Sequence, residues 1–301
     1  MQVVAQARQS IGAPSGIVRV ANMPPAGSQM TETVPSSARD QLAGLARVAT
    51  SGLVSSAEAA RTWRVHGPVA ASRLHRLVRA GWLVAVRKGL FLVRPLEGKP
   101  GTRTTVEDPW VLASRLFAPC YIGGWSAAEH WGLTEQLFRS TFVVTSGLAR
   151  SRAVEVLGCE FRTVRAKPAR IATASSHWRG PVRVPVSDRE QTLADALEHP
   201  GWVGGAGQLA DLLRTYRESE HWAPARLLRA VAKVGKGAAY KRLGYLAEAE
   251  LGGEPSLVAA ALEHRSAGLI KLDPSVAARG AISKRWGLRV NVRARSGDDS
   301  A

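Results

Sequence analysis

The spacing of apolar residues near the beginning of the chain predicts three successive helices. Residues 39–50 carry leucine and alanine at helical spacing, which is typical of an amphipathic helix. A second helix is predicted from Ser55, because Ser55 and Glu58 have the spacing of a capping box. A third runs from Pro68 to Gly81, since proline is tolerated in a first helical turn and glycine commonly ends a helix.

Residues 82–93 predict two short strands joined by a turn at Arg87-Lys88-Gly89. Three helices followed by a hairpin is the element order of a winged helix-turn-helix, a DNA-binding domain that we place at residues 39–96. Residues 1–38 are rich in Ala, Ser, Pro and Gln and lack the apolar periodicity of a helix or of a strand, so we expect a disordered leader.

Beyond the hairpin, residues 97–108 are rich in Pro, Gly and Thr and predict a linker. Residues 109–293 contain several short strand-like segments and, in their second half, a run of amphipathic helices, which predicts one larger mixed α/β domain. Residues 294–301 are expected to be a disordered tail. Strands and helices are grouped rather than strictly alternating, so the predicted fold class is α+β.

Two further capping-box spacings occur in this larger part of the chain. Ser126 and Glu129 predict the start of a short helix, and Gly132 stands where that helix should stop. Ser187 and Glu190 have the same spacing at the start of a longer helix.

The net charge narrows the functional classes. The 301 residues include 41 Lys and Arg against 24 Asp and Glu, which gives +17. Such a surplus favours polyanions, nucleic acid first and acidic membranes second. No apolar run is long enough to span a membrane. The two cysteines, Cys120 and Cys159, form no CxxC pair, which excludes a zinc site built on cysteine pairs. We therefore expect a cytoplasmic protein without metal or cofactor.

The polar face of the third predicted helix carries the candidate DNA-contacting residues. Side chains near the start of a recognition helix reach base edges, and arginine donates two parallel hydrogen bonds to guanine, so we expect Arg73 and Arg76 to contact bases. The residues expected to contact the DNA backbone are Ser72, Arg79, Arg87 and Lys88. Residues 59–96 contain no Asp or Glu, and a carboxylate there would oppose phosphate binding. The alternative is a solvated face on a small helical domain.

A second basic stretch without acidic residues lies at residues 226–242. Its members are Arg226, Arg229, Lys233, Lys236, Lys241 and Arg242. The stretch predicts either a surface that contacts flanking DNA, RNA or an acidic protein, or only a solvated helix surface with favourable charges at helix C-termini. The sequence leaves both interpretations open.

Three features of the sequence would fit a catalytic site. Glu129 and His130 are adjacent, but the spacing around them offers no second acid or metal ligand. Glu97-Gly98-Lys99 has the Glu-x-Lys pattern of metal-dependent nucleases, but it lies in the predicted linker. Gly204-Gly205-Ala206-Gly207 is glycine-rich, yet no strand leads into it, as a phosphate loop would require. We predict that the protein is not an enzyme.

Several segments, in their order and position behind the predicted winged helix, resemble the AbiEi family of antitoxins. They are YIGGWSAAEHWGLTEQ (121–136), FVVTS (142–146), VPVSDREQTLADALEHP (184–200) and YKRLGYLAEAELGG (240–253). The resemblance spans about residues 40–255. It implies an autorepressor whose winged helix binds inverted repeats in its own promoter, as two copies, and whose C-terminal domain neutralises a nucleotidyltransferase-like toxin directly or indirectly. A nuclease-type or ligand-sensing C-terminal domain is the alternative.

Overall fold

The computed structural model describes residues 18–20, 36–94, 108–147 and 152–292. The fold is α+β, as predicted: the described residues form eleven α-helices and thirteen strands in three sheets. They divide into two compact units. We call residues Val18–Ile122 and Arg139–Val186 the sheet unit, and Gly123–Phe138 together with residues from Ser187 onward the helical unit. The domain predicted over residues 109–293 is thus divided between the two units.

The first part of the sheet unit contains three helices and a small antiparallel sheet. Its elements, after β1 (Val18–Val20), are α1 (Ser36–Val48), β2 (Leu53–Ser55), α2 (Ser56–Trp63), α3 (Gly67–Arg79), β3 (Leu83–Arg87) and β4 (Leu90–Val93). The strand order is β2-β4-β3, so the predicted hairpin is present and a third, unpredicted strand joins it. Leucines of α1 and α3 pack with Phe91 in one apolar cluster, which holds the helices against the sheet.

The predicted capping box at the start of α2 is confirmed. The Ser55 hydroxyl accepts from the Glu58 amide at 3.2 Å, and the Glu58 carboxylate accepts from the Ser55 amide at 2.6 Å. The same carboxylate forms an ion pair with Arg115 at 2.7 Å. Glu58 therefore caps one helix and also binds a side chain far along the sequence.

The second part of the sheet unit is a seven-stranded mixed sheet. Its other elements are α4 (Pro109–Leu116), β5 (Cys120–Ile122), β6 (Thr141–Thr145), β7 (Arg152–Val156), β8 (Cys159–Arg165), α6 (Pro168–Ile171), β9 (Ser175–Arg179) and β10 (Val182–Val186). The short helix α5, which follows β5 in the chain, belongs to the helical unit. The strand order is β1-β7-β8-β6-β5-β10-β9, and α4 packs on β5, β6 and β10. Strand β9 was not predicted, because its residues show no alternation of apolar and polar types.

The segment predicted as a disordered leader contains two described elements. Strand β1 pairs in parallel with β7, and α1 begins at Ser36 rather than at residue 39. The other leader residues lie outside the described residues, as do residues 97–107 of the predicted linker, including Glu97-Gly98-Lys99, and the predicted tail at 294–301.

The helical unit is built mainly from six helices. They are α5 (Gly124–His130), α7 (Arg189–Glu198), α8 (Ala206–Glu218), α9 (Pro224–Val234), α10 (Gly237–Glu250) and α11 (Pro255–His264). A small sheet, in the order β11-β13-β12, follows with β11 (Ile270–Lys271), β12 (Ala281–Ser283) and β13 (Leu288–Val290). Trp286 is buried in an apolar cluster with this sheet and lies so close to α10 that a Cβ at Gly244 would overlap its ring.

The other two predicted capping boxes are wrong. Helix α5 begins at Gly124 directly after β5, so Ser126 lies inside the first turn, although Gly132 does end the helix with a φ of +66°. Helix α7 is capped by Asp188, whose carboxylate accepts from the Gln191 amide at 2.7 Å. Neither serine is the N-cap: Gly123 has this position in α5 and Asp188 has it in α7.

Candidate nucleic-acid interface

Helix α3 separates a buried apolar face from an exposed polar one. Ala70, Leu74 and Leu77 are buried, whereas Arg76 and Arg79 are exposed. Ser72 is exposed on the same polar side. Because the buried residues recur every three or four positions, the polar residues between them face solvent. The structure thus brings most of the predicted helix residues onto one accessible face.

Arg73 differs from its neighbours on α3. It is half-buried, and its guanidinium carbon lies 6.0 Å from the centre of the Trp63 ring of α2. Trp63 is itself fixed, since its indole N–H donates to the Gln41 carbonyl at 3.2 Å. A cation over an aromatic face at this distance is weakly attracted. Arg73 is therefore held against α2 and less accessible than Arg76.

The turn between β3 and β4 presents two more predicted residues. Arg87 and Lys88 are both exposed, and Gly89 takes the positive φ of +77° that this turn requires. The Arg87 guanidinium donates to the Arg115 carbonyl at 3.0 Å. Lys88 is thus the more available cation at the tip of the turn, while Arg87 is partly engaged within the protein.

An open depression of about 320 Å³ lies at the end of α2 and in the turn before α3, and sequence reasoning did not predict it. It is lined by Ala60, Arg61, Arg64, Val65 and His66. Both arginines and the histidine are exposed. The sequence feature that could have indicated it is the stretch 59–96 without acidic residues, to which Arg61 and Arg64 also belong. The turn before α3 therefore extends the basic surface of the helix.

The second predicted basic surface is wrong for two of its six residues. Lys241 is 1% exposed and Arg242 is 4% exposed, so neither can meet a partner. The Lys241 ammonium donates to the carbonyls of Ala267 and Gly268. Burial lowers the pKa of Lys241, and Arg265 lowers it further. Helical spacing turns both side chains towards the chain segment that follows α11.

The remaining residues of that stretch are Arg226, Arg229, Lys233 and Lys236, all exposed. Arg226 forms an ion pair with Glu190 at 3.0 Å. Glu190 also accepts from the Tyr216 hydroxyl at 2.7 Å. Glu190 therefore binds two side chains instead of capping the helix as predicted. Because Arg226 is held in this ion pair, three exposed basic residues of the stretch remain as candidates for contact with a partner: Arg229, Lys233 and Lys236.

Two of the three features that would fit a catalytic site lie in described parts of the chain, whereas Glu97-Gly98-Lys99 lies outside them. His130 is exposed at the end of α5, with its ring centre 4.6 Å from that of Trp131. At the glycine-rich segment 204–207, the Asp273 carboxylate accepts from the Ala206 amide at 2.8 Å and so occupies the N-terminus of α8. A phosphate at this helix end would meet that carboxylate. Among the described residues, no group of three or more His, Cys, Asp or Glu is arranged to hold a metal ion.

No protein-family model matches this chain, and no curated protein matches it. The chain is similar to a solved structure, the RV2827C protein from Mycobacterium tuberculosis, with a TM-score of 0.55 and 20% sequence identity. The match covers 85% of this chain and 92% of that chain. The likeness shows the fold. At this identity it says nothing about what the chain binds.

The described part of the chain contains no helix that is both long and apolar enough to cross a membrane. The surface formed by α3 and its neighbouring turns is positively charged. Arginine and lysine side chains on α3, on the turn before it and on the β3–β4 turn can donate to phosphate oxygens, and the arginine fork can also donate to guanine.

Proposed function

We propose that this protein is a DNA-binding antitoxin that represses its own operon. In this proposal residues 36–94 form a winged helix-turn-helix domain, α3 enters the major groove, and the β3–β4 turn is the wing. The observation that carries the proposal is the exposed basic face of α3 within a stretch that contains no acidic residue.

The element order supports this assignment. A helix, a strand, two helices and a hairpin follow one another, and the strand joins the hairpin in one sheet. In domains of this type the second helix of the helix-turn-helix contacts base edges with residues near its beginning. In α3, however, Arg73 lies in the middle and Arg76 in the last turn, so the two side chains would reach base edges from the second half of the helix, with Arg76 the more exposed. Ser72, Arg79, Arg87 and Lys88 would then position the sugar-phosphate backbone.

The antitoxin part of the proposal rests on the resemblance of residues 121–136, 184–200 and 240–253 to the AbiEi family. The partner would be a nucleotidyltransferase-like toxin encoded beside this gene, neutralised directly or indirectly in the cytoplasm. Two copies of the chain would bind the two halves of an inverted repeat, because the symmetry of such a site mirrors that of a protein pair. The proposed action is binding, without catalysis.

A reporter gene placed behind the DNA upstream of this protein's own gene tests the proposal in cells. We expect the wild-type chain to repress the reporter, and Arg76→Ala combined with Arg79→Ala to restore expression. Arg217→Ala is the matched control, because Arg217 is exposed on α8 beside acidic residues and its loss should leave repression intact. Equal repression by the double variant would refute the α3 assignment, and a harmless neighbouring gene product would refute the antitoxin assignment.

A further inference from the structure

The hairpin formed by β9 and β10 carries an exposed tryptophan that the proposed function does not use. Trp178 is 63% exposed. It lies directly opposite Arg183 in the antiparallel pair, and the Arg183 guanidinium carbon lies 4.6 Å from the centre of the Trp178 ring. The exposed ring offers a flat aromatic face on which a base can stack.

The other face of the hairpin is anchored to the protein. Arg179, next to Trp178 in the chain, points to the opposite face of the strand. Its guanidinium carbon lies 4.2 Å from the centre of the Trp110 ring, and it forms an ion pair with Asp108 at 3.6 Å. Both of these residues lie at the start of α4. The anchored face therefore fixes the orientation of the exposed one.

The hairpin also projects from the sheet. Strand β9 is the last strand in the order, and β10 is in register with β5 only at Val186 and Ile122. The turn at Gly180 and Pro181 is exposed and lies beyond the paired part of β5. Trp178 and Arg183 are adjacent to this turn, so a ligand can approach them from the end of the hairpin.

The surrounding sequence has one sign of charge. Residues 161–187 contain no Asp or Glu. Their basic residues are Arg162, Arg165, Lys167, Arg170, Arg179 and Arg183. Lys167 is exposed just before α6. An exposed aromatic ring beside an exposed cation, as at Trp178 and Arg183, is a combination that binds single-stranded nucleic acid, since bases stack on the ring and cations attract the backbone.

We propose that the β9–β10 hairpin binds single-stranded nucleic acid, with Trp178 stacking on a base and Arg183 contacting the adjacent phosphate. An unpaired strand fits better than a duplex, because the faces of paired bases are covered by their neighbours in the stack. The chemistry is shared by DNA and RNA. The inference does not depend on the proposed binding of duplex DNA by α3, because it rests on different residues.

Fluorescence anisotropy with labelled oligothymidylate and oligouridylate of about 12 nucleotides tests the proposal on the full-length chain. We expect wild-type protein to bind them and Trp178→Ala to weaken the binding by about tenfold. Trp178→Phe should keep most of the affinity because it keeps an aromatic face. Arg183→Ala should weaken binding and reduce its dependence on salt. Comparing the two oligonucleotides shows whether the site prefers DNA or RNA.

The matched controls are Leu137→Ala, which shortens a side chain that is 86% exposed, and Arg217→Ala. Both should bind the oligonucleotides like wild type. These outcomes depend only on variants of the hairpin, so a failure of the α3 assignment is distinguishable from a failure of this one. The proposal is overturned if wild type binds neither oligonucleotide, or if Trp178→Ala binds as tightly as Leu137→Ala.

Discussion

The Arg242 side chain lies in the interior of the helical unit and donates only to backbone carbonyls. Its guanidinium hydrogen-bonds the carbonyls of Leu197 and Leu272 at 2.8 and 2.9 Å. Two further bonds reach the carbonyls of Glu198 and Lys271. Burial lowers the pKa of Arg242 to about 10, although the nearby Asp273 and Glu198 carboxylates oppose this shift. The residue joins the end of α7 to β11.

Replacing Arg242 by methionine should lower the free energy of unfolding by about 3 kcal/mol or more, because each buried carbonyl left without a donor costs about 1–3 kcal/mol. The measurement is urea unfolding followed by circular dichroism. Arg229→Met, the same change at an exposed position of α9, is the control and should cost little. Equal stability of the two variants would show that the carbonyls of α7 and β11 do not depend on Arg242.

At the scale of elements, the cap of α2 links helix stability to pH. Burial raises the pKa of the Glu58 carboxyl, but hydrogen bonds from Arg115 and Ser55 outweigh this effect and hold the pKa below its ordinary value of 4.5. A carboxyl with a lowered pKa stabilises the fold at pH values above its unfolded pKa. That contribution is lost as the pH falls through the lower, folded pKa.

Glu58→Gln should lower the Tm at pH 7 by about 2–4 °C, since glutamine keeps the capping hydrogen bond but loses an ion pair worth about 1 kcal/mol. The difference from wild type should disappear as the pH falls below the folded pKa of Glu58. Thermal unfolding measured across this pH range checks both points. The control is Glu218→Gln, an exposed glutamate on α8. A difference in Tm that persists at the acidic end would contradict the role of the Glu58 charge.

Sequence patterns predicted the elements whose signals are local. The three helices around Leu42, Ser55 and Leu74 and the hairpin turn at Gly89 were predicted, because periodicity, a cap and a glycine lie within each segment. Strand β9 was not predicted, because its composition is not typical of a strand. It forms a strand through its pairing with β10. The caps at Ser126 and Ser187 were assigned from spacing alone, whereas the neighbouring Gly124 and Asp188 begin the helices.

The site was predicted less completely than the fold, because burial depends on distant segments. Nothing around Lys241 and Arg242 shows that carbonyls of residues 267–272 enclose them. Similarly, the contact of Arg73 with Trp63 depends on the packing of α3 against α2. The exposure of Arg76 and Arg79 was predicted correctly, since the amphipathic pattern of α3 defines its outer face.

For the whole molecule, the net charge of +17 is unevenly distributed along the chain. Residues 59–96 and 161–187 contain no acidic residue. Both stretches fall within the sheet unit, which also combines chain segments on either side of residues 123–138. Where the chain passes from one unit to the other and back, no stretch with the composition of a linker marks the boundary. For this reason the sequence predicted one domain over residues 109–293. The sheet unit therefore carries both nucleic-acid surfaces that we propose.

The central claim is that α3 recognises duplex DNA upstream of this protein's own gene. Its most direct test is anisotropy with that duplex and a scrambled duplex of equal composition, between about 50 and 200 mM salt. We predict that Arg76→Ala weakens binding by about 1–3 kcal/mol and reduces the preference for the upstream sequence. Arg79→Ala should weaken the binding of both duplexes alike and lower the slope of log affinity against log salt concentration by about 1. Arg217→Ala should change neither the affinity nor this slope. Unchanged affinity and preference in Arg76→Ala would contradict the claim.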